Sequence, residues 1–211
     1  MSDDWYRRKT WTEADQTEFN ERLSRSRGQY NKAQYLRIQA SYLEEKYPAA
    51  SLELMNRIVT DFPEPCELAQ TYLQMAHCYS VLSDTDNAVR CFRKALVQEV
   101  EYPKSRTQTY LDFPVFALVN NLTELYEEVT TVLVQHQSWI LFPVDRYMWN
   151  MCLALIADYN GDIEAARNHA SAALQAADAQ QSCFRYHPKV GLVKKQDKII
   201  MKKLVSLSTA P

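Results

Sequence analysis

Histidines, cysteines and paired carboxylates are the side chains of this chain that could do chemistry. The four histidines are His77, His136, His169 and His187, and no two stand three or four residues apart. His77 and Cys78 are neighbours, so on a helix they point about 100° apart and make a poor chelate. A single-histidine contact in a groove is the expectation for His77. Glu44-Glu45 and Glu127-Glu128 are adjacent carboxylates. Adjacent residues on a helix diverge, so these pairs are expected on solvated faces rather than as an acid and its base. No phosphate-loop, dinucleotide, serine-elbow or zinc-protease motif occurs, and three glycines leave little material for a phosphate cradle. Catalysis is not expected, nor is a cofactor or a bound metal.

The elements that hold these side chains follow from composition and spacing. The chain has 211 residues, 46% hydrophobic and 24% charged, which is globular composition. Scarce glycine argues against the tight turns of all-β folds and for helices. Net charge is −2 but unevenly spread. Residues 38–184 carry 9 Lys and Arg against 19 Asp and Glu, whereas Arg185 to Lys203 holds seven basic residues and one acid. The basic tail lacks interleaved aromatics for base stacking, so nucleic acid is not expected as a partner. A solvated end cap suits its lysines better. No apolar leader or run long enough to span a bilayer occurs, which predicts no membrane association. The odd set of cysteines, Cys66, Cys78, Cys91, Cys152 and Cys183, predicts free thiols in a reducing cytoplasm, with Cys78, Cys91 and Cys152 in the core.

Apolar spacing divides the chain into helical hairpins. Residues 12–28 read as a capping helix, with Thr12 as N-cap, Asp15 as its capping-box partner and Gly28 as the stop. Hairpins are expected over 30–63, 69–101, 103–137 and 146–177, and a C-terminal helix over 192–207. Ser208 to Pro211 is expected to fray. Pro48 suits a helix start, whereas Pro63 and Pro65 should break the chain. In the third hairpin Pro114 should kink or shorten the first helix. Leu122, Leu125, Tyr126, Val129, Val132 and Leu133 should form the second. Asp162 is the expected N-cap after the turn Asn160-Gly161.

The second hairpin carries a recognisable pattern. Tyr72-x2-Met75-Ala76-x2-Tyr79 is followed by Ala88-x3-Phe92-x2-Ala95. Tyr35-x2-Ile38-Gln39-x2-Tyr42 and Ala166-x3-Ala170-x2-Ala173 repeat its halves. This resembles the tetratricopeptide repeat (TPR), whose signature places large and small apolar residues at these intervals. Trp11-Thr12-Glu13 with Lys32 to Ala40, and Phe184 to Val193, resemble an uncharacterised group of bacterial TPR proteins. The resemblance implies an all-α, TPR-like helical-hairpin solenoid with N- and C-terminal capping helices, of bacterial origin.

It also implies a concave groove lined by the first helix of each hairpin. The residues of this chain matching that face are Leu36 in the first hairpin and Gln70, Leu73, Gln74 and His77 in the second. Asp112 and Phe116 match it in the third, and Met148, Met151 and Asp158 in the fourth. Apolar side chains with a few amides and acids suit a peptide or helix laid in a groove. The positions where TPR domains hold acidic chaperone tails with Lys, Arg and Asn carry Leu36, Ala40 and Gln74, so that role is not expected. An acidic array favours a basic partner. The expected function is non-catalytic protein binding, as an adaptor or chaperone. The alternative is an immunity protein that neutralises a cognate bacterial toxin. Oligomeric state is left open.

Overall fold

The computed structural model describes residues 4–209. Among them are ten α-helices and no strand. The chain divides into two compact units, the first through Thr109 and the second from Tyr110. The expected fraying at Ser208 to Pro211 falls partly outside the described residues, while the last helix itself reaches Ser208.

The first unit holds α1 (Glu13–Arg25), α2 (Gln29–Leu43), α3 (Pro48–Asp61), α4 (Pro65–Val81) and α5 (Thr85–Glu101). Thr12 and Asp15 form the expected reciprocal cap of α1: Asp15 N–H donates to Thr12 Oγ1, and Thr12 N–H donates to Asp15 Oδ2 at 2.9 Å. The Thr12 backbone N–H, then its hydroxyl, hold the Asp15 carboxyl down to about 2. The helix ends at Arg25, short of Gly28, which instead precedes α2. Pro48 is the first residue of α3, as expected. Pro65 does the same for α4 and does not break the chain. The first turn has no carbonyl partner for its N–H groups, so proline costs nothing there. The hairpin therefore starts four residues before Ala69.

The N-terminal segment is tied down from its own side. Buried Gln39 accepts from Arg8 N–H at 3.0 Å and donates to Arg8 C=O at 2.8 Å. Trp5 packs on Phe19 and Tyr35 with ring centres 5.2 and 5.0 Å apart. Phe19, Leu36, Leu43, Met55, Ile58 and Phe92 form the core of this unit.

The second unit holds α6 (Thr109–Val119) apart from its first residue, α7 (Tyr126–Gln135), α8 (Pro143–Tyr159), α9 (Ile163–Ala177) and α10 (Lys198–Ser208). Pro114 lies inside α6 without ending it, and α6 has 11 residues against 15 in α2 and 17 in α4 and α8. Leu122 and Leu125 are not in α7: a 3-10 turn, Thr123–Leu125, precedes it. Apolar spacing does not distinguish a 3-10 turn from the first turn of an α-helix. The C-terminal helix begins at Lys198 rather than at 192, because Asp197 Oδ1 accepts from the N–H groups of Ile199 and Ile200 and fixes the start there.

Packing within each unit follows one pattern. Helix α2 pairs with α3 and α4 with α5, while α4 rests mainly on α3 and touches α2. In the second unit α8 pairs with α9, and α10 rests mainly on α9 and touches α8.

Three interhelix turns share one backbone device. After α4, α6 and α8 the chain enters the left-handed region at Ser83 (φ 59°), Asn121 (φ 54°) and Gly161 (φ 77°). The next N–H then reaches back five residues: Asp84 to Tyr79 O, Leu122 to Ala117 O, Asp162 to Ala157 O. These bonds satisfy carbonyls the helix end leaves open. Asp84 and Asp162 then cap the following helix. Serine carries a Cβ penalty in this conformation that glycine escapes. Ser83→Gly is expected to raise stability by about 0.5–1 kcal/mol, read as a higher urea midpoint at unchanged slope. No gain would mean that the Ser83 backbone is not held there in solution.

Candidate functional site

Helices α2 and α4 meet along a polar seam. The guanidinium of Arg37 pairs with the Glu67 carboxylate near the start of α4. Farther along, the Gln74 side chain lies against the carboxyl of Glu44, the residue that ends α2, and favours its charged form. Both pairs are thirty residues apart in sequence, so the two helices run parallel and in register. His77 is also close enough to act on Glu44 electrostatically. Its ring meets Phe92 edge-on at 6.3 Å.

Two oxygens at this seam, Glu44 Oε1 and Gln74 Oε1, are buried without a hydrogen-bond donor. Buried acceptors left unsatisfied cost about 1–3 kcal/mol each. Glu44 is thus not on a solvated face as its pairing with Glu45 suggested; Glu45 is exposed, whereas Glu44 is half-buried. Beside it opens a cleft of about 390 Å³ lined by Lys9, Ser41, Tyr42, Glu44, Glu45 and Lys46.

Burial pushes the Glu44 carboxyl above its ordinary value of 4.5, against the pull of His77, Gln74 and Arg37. A carboxyl whose pKa is raised on folding favours the fold at low pH. Its contribution is complete below 4.5 and is lost as pH rises through the folded value. Glu44→Gln removes that loss. The variant is expected to melt higher than the parent at pH 7, with the gap closing below pH 4.5. An equal gap at both pH values would show that Glu44 ionises freely.

The residues expected to line a groove divide sharply. In the first unit Leu36 is 0% exposed, Leu73 3% and Gln74 6%, while Gln70 and His77 are half-buried. Leu36 and Leu73 are therefore core. On α6, Asp112 is half-buried and Phe116 buried. On α8, Met151 is buried and Met148 half-buried. Asp158 is engaged by Lys203 of α10 at 2.7 Å, so that tail lysine is not simply solvated. Gln70, Gln74 and His77 lie together on α4. Met148, Met151 and Asp158 are spread along α8.

The second unit has its own concavity. Helices α8 and α9, with Leu141 before α8 and Ala179, Gln181 and Cys183 after α9, line a cleft of about 580 Å³. Asn150 Nδ2 donates to Arg146 C=O at 2.9 Å, which turns its Oδ1 toward His169 Nδ1 at 3.0 Å. His169 Nδ1 is therefore the donor, and burial lowers the imidazole pKa and keeps the ring neutral. Sequence patterning named His169 without a partner and passed over Arg146 and Asn150 as site residues, because their spacing, four residues on one helix and nineteen across a hairpin, is meaningful only once α8 and α9 are paired.

The remaining reactive groups do not converge. Among the described residues no three of His, Cys, Asp and Glu could hold a metal. All five cysteines are free. Burial pushes the Cys78 and Cys91 thiols up to about 11 and Cys152 higher still. These three are core side chains, as their helical positions implied. Among the described residues no helix is long and apolar enough to cross a membrane. No family model, curated protein or solved structure matches this chain.

Proposed function

We propose that the chain is a non-catalytic protein-binding module of TPR-like helical hairpins, acting as an adaptor or chaperone in the cytoplasm of a bacterium. The seam between α2 and α4 receives a basic, donor-rich segment of the partner. The observation that carries this reading is the pair of donorless oxygens, Glu44 Oε1 and Gln74 Oε1, buried beside the half-exposed Gln70 and His77. An amine, guanidinium or amide N–H from a partner, admitted as the seam opens, would satisfy them and offset their desolvation. The parallel arrangement of α2 and α4 supports the repeat architecture. The excess of acid over residues 38–184 supports a basic partner, because complementary charge speeds encounter.

The test is capture on the immobilised chain from a lysate of the organism that encodes it, at low and moderate salt. One stoichiometric basic partner, weakened by salt, is the expected result. Gln74→Leu should release it, and Gln70→Ala should weaken it. Capture that survives Gln74→Leu and Gln70→Ala would remove the seam from the interface. A captured partner that is toxic when expressed alone would make the role neutralisation rather than transport or assembly.

A further inference from the structure

The cleft of the second unit differs in chemistry from the rest of the chain. Its cation is Arg146, an exposed side chain whose guanidinium has no hydrogen-bond or ion-pair partner among the described residues. No carboxylate lines the cleft. The neighbouring Asp145 is occupied, accepting from the N–H groups of Leu141 and Phe142 at 3.3 and 3.0 Å. A free guanidinium facing a cleft without acids, in a stretch dominated by acids, is an unmatched positive charge.

The walls are built to stay in place. Val144 N–H donates to Gly191 C=O at 2.8 Å, and Phe142 stacks on Phe184 at 5.3 Å. Ser182 N–H and Oγ hold Pro188 C=O and His187 C=O at 2.8 and 3.1 Å. Ala172, Ala176 and Ala179 are among its lining residues, and small side chains let another backbone approach closely. Gln175 and Gln181 are exposed at the cleft with amide donors and acceptors. About 580 Å³ lies within the range that accommodates a bound segment of a few residues.

We propose that this cleft binds an acidic peptide segment of a partner protein, with the segment's carboxylate held by Arg146. The guanidinium supplies a two-pronged, charge-assisted contact, the amides of Gln175 and Gln181 serve the peptide backbone, and the lining alanines take a small apolar neighbour. This site is separate from the α2–α4 seam and does not depend on it.

Cys183 lies at the cleft and is exposed, so its alkylation reports occupancy. The test uses the full chain with Cys66→Ser, which leaves Cys183 as the exposed thiol. The probes are labelled octapeptides, each with one central Asp or Glu among apolar residues, and matched Asn or Gln versions. Acidic peptides are expected to bind about tenfold or more tighter than their amide counterparts by anisotropy, the loss expected for one charge-assisted contact. They should also slow iodoacetamide modification of Cys183. Arg146→Gln should abolish both effects with an unchanged circular dichroism spectrum, and Arg146→Lys should keep part of the affinity. Equal binding of acid and amide peptides, or acidic binding untouched by Arg146→Gln, would overturn the proposal. So would failure of every acidic peptide. Free glutamate or succinate protecting Cys183 as well as the peptides would make the cleft a small-acid pocket and overturn the peptide assignment. Each outcome is independent of capture at the α2–α4 seam, because Gln74→Leu leaves this cleft intact.

Discussion

Leu36→Ala is expected to destabilise the chain by about 3–4 kcal/mol. Leu36 is a residue that the TPR resemblance assigned to a groove, yet it is 0% exposed. Truncating a fully buried leucine loses the transfer free energy of its removed carbons and leaves a cavity that neighbours only partly fill. Its surroundings include Ala33, Ala40 and Leu43, all fully buried on the same helix. The check is a urea titration beside Gln70→Ala, a half-buried neighbour on α4 expected to shift stability by about 0.5 kcal/mol or less. If the two variants unfold alike, Leu36 belongs to an open surface and the first unit is packed differently from the structure.

Gly191→Ala should cost about 2–3 kcal/mol and release the loop over 182–191. Two penalties coincide at this residue. Its φ is +72°, where an L side chain is strained, and an added Cβ would overlap Cβ, Cγ and Cδ1 of Phe142. Those atoms lie near the base of the phenylalanine side chain, so a rotamer change does not clear them. Phe142 is the N-cap residue of α8, and the next residue but one, Val144, donates to Gly191 C=O. Moving either partner breaks that bond and unstacks Phe184. The expected signs are faster tryptic cleavage at Arg185 and Lys189 and faster hydrogen exchange at the Val144 amide. Adding Phe142→Ala removes the overlap with Cγ and Cδ1 and keeps the one with Cβ, so it should recover only part of the steric cost and none of the conformational one. A Gly191→Ala chain with parental cleavage and exchange rates would show that the loop is not docked there.

These two residues mark what each level of description can reach. Helix existence was legible because apolar residues recur at helical spacing and because local chemistry punctuates them. Thr12 with Asp15, Pro48, and Asp162 after Gly161 act on backbone groups within four residues of themselves. Nothing distant is needed to read such signals. Boundaries failed where two local signals compete. Pro65 reads equally as a stop or as a first helical residue, and only the packing of α4 chooses. The start of α10 was misplaced for a similar reason, since Asp197 caps it only because the chain before it is extended.

The site was less legible than the helices, since it depends on which helices touch. Sequence placed Gln70, Gln74 and His77 together on one helix, and they are together. It could not show that Leu36 is covered, or that Asp158 is matched by Lys203 forty-five residues later. Glu44 and Glu45 are indistinguishable by type and neighbourhood, yet one is desolvated by α4 and the other faces water. The cleft around Arg146 has no sequence signature at all, because its walls come from two helices and a loop that closes against Phe142. The chain alone determined its helical class, its caps and its uneven charge, all of which are set by short-range chemistry. Tertiary structure alone decided which acids are desolvated, which cation faces a cleft without acids and where the surface is concave, because desolvation and enclosure are properties of packed neighbours.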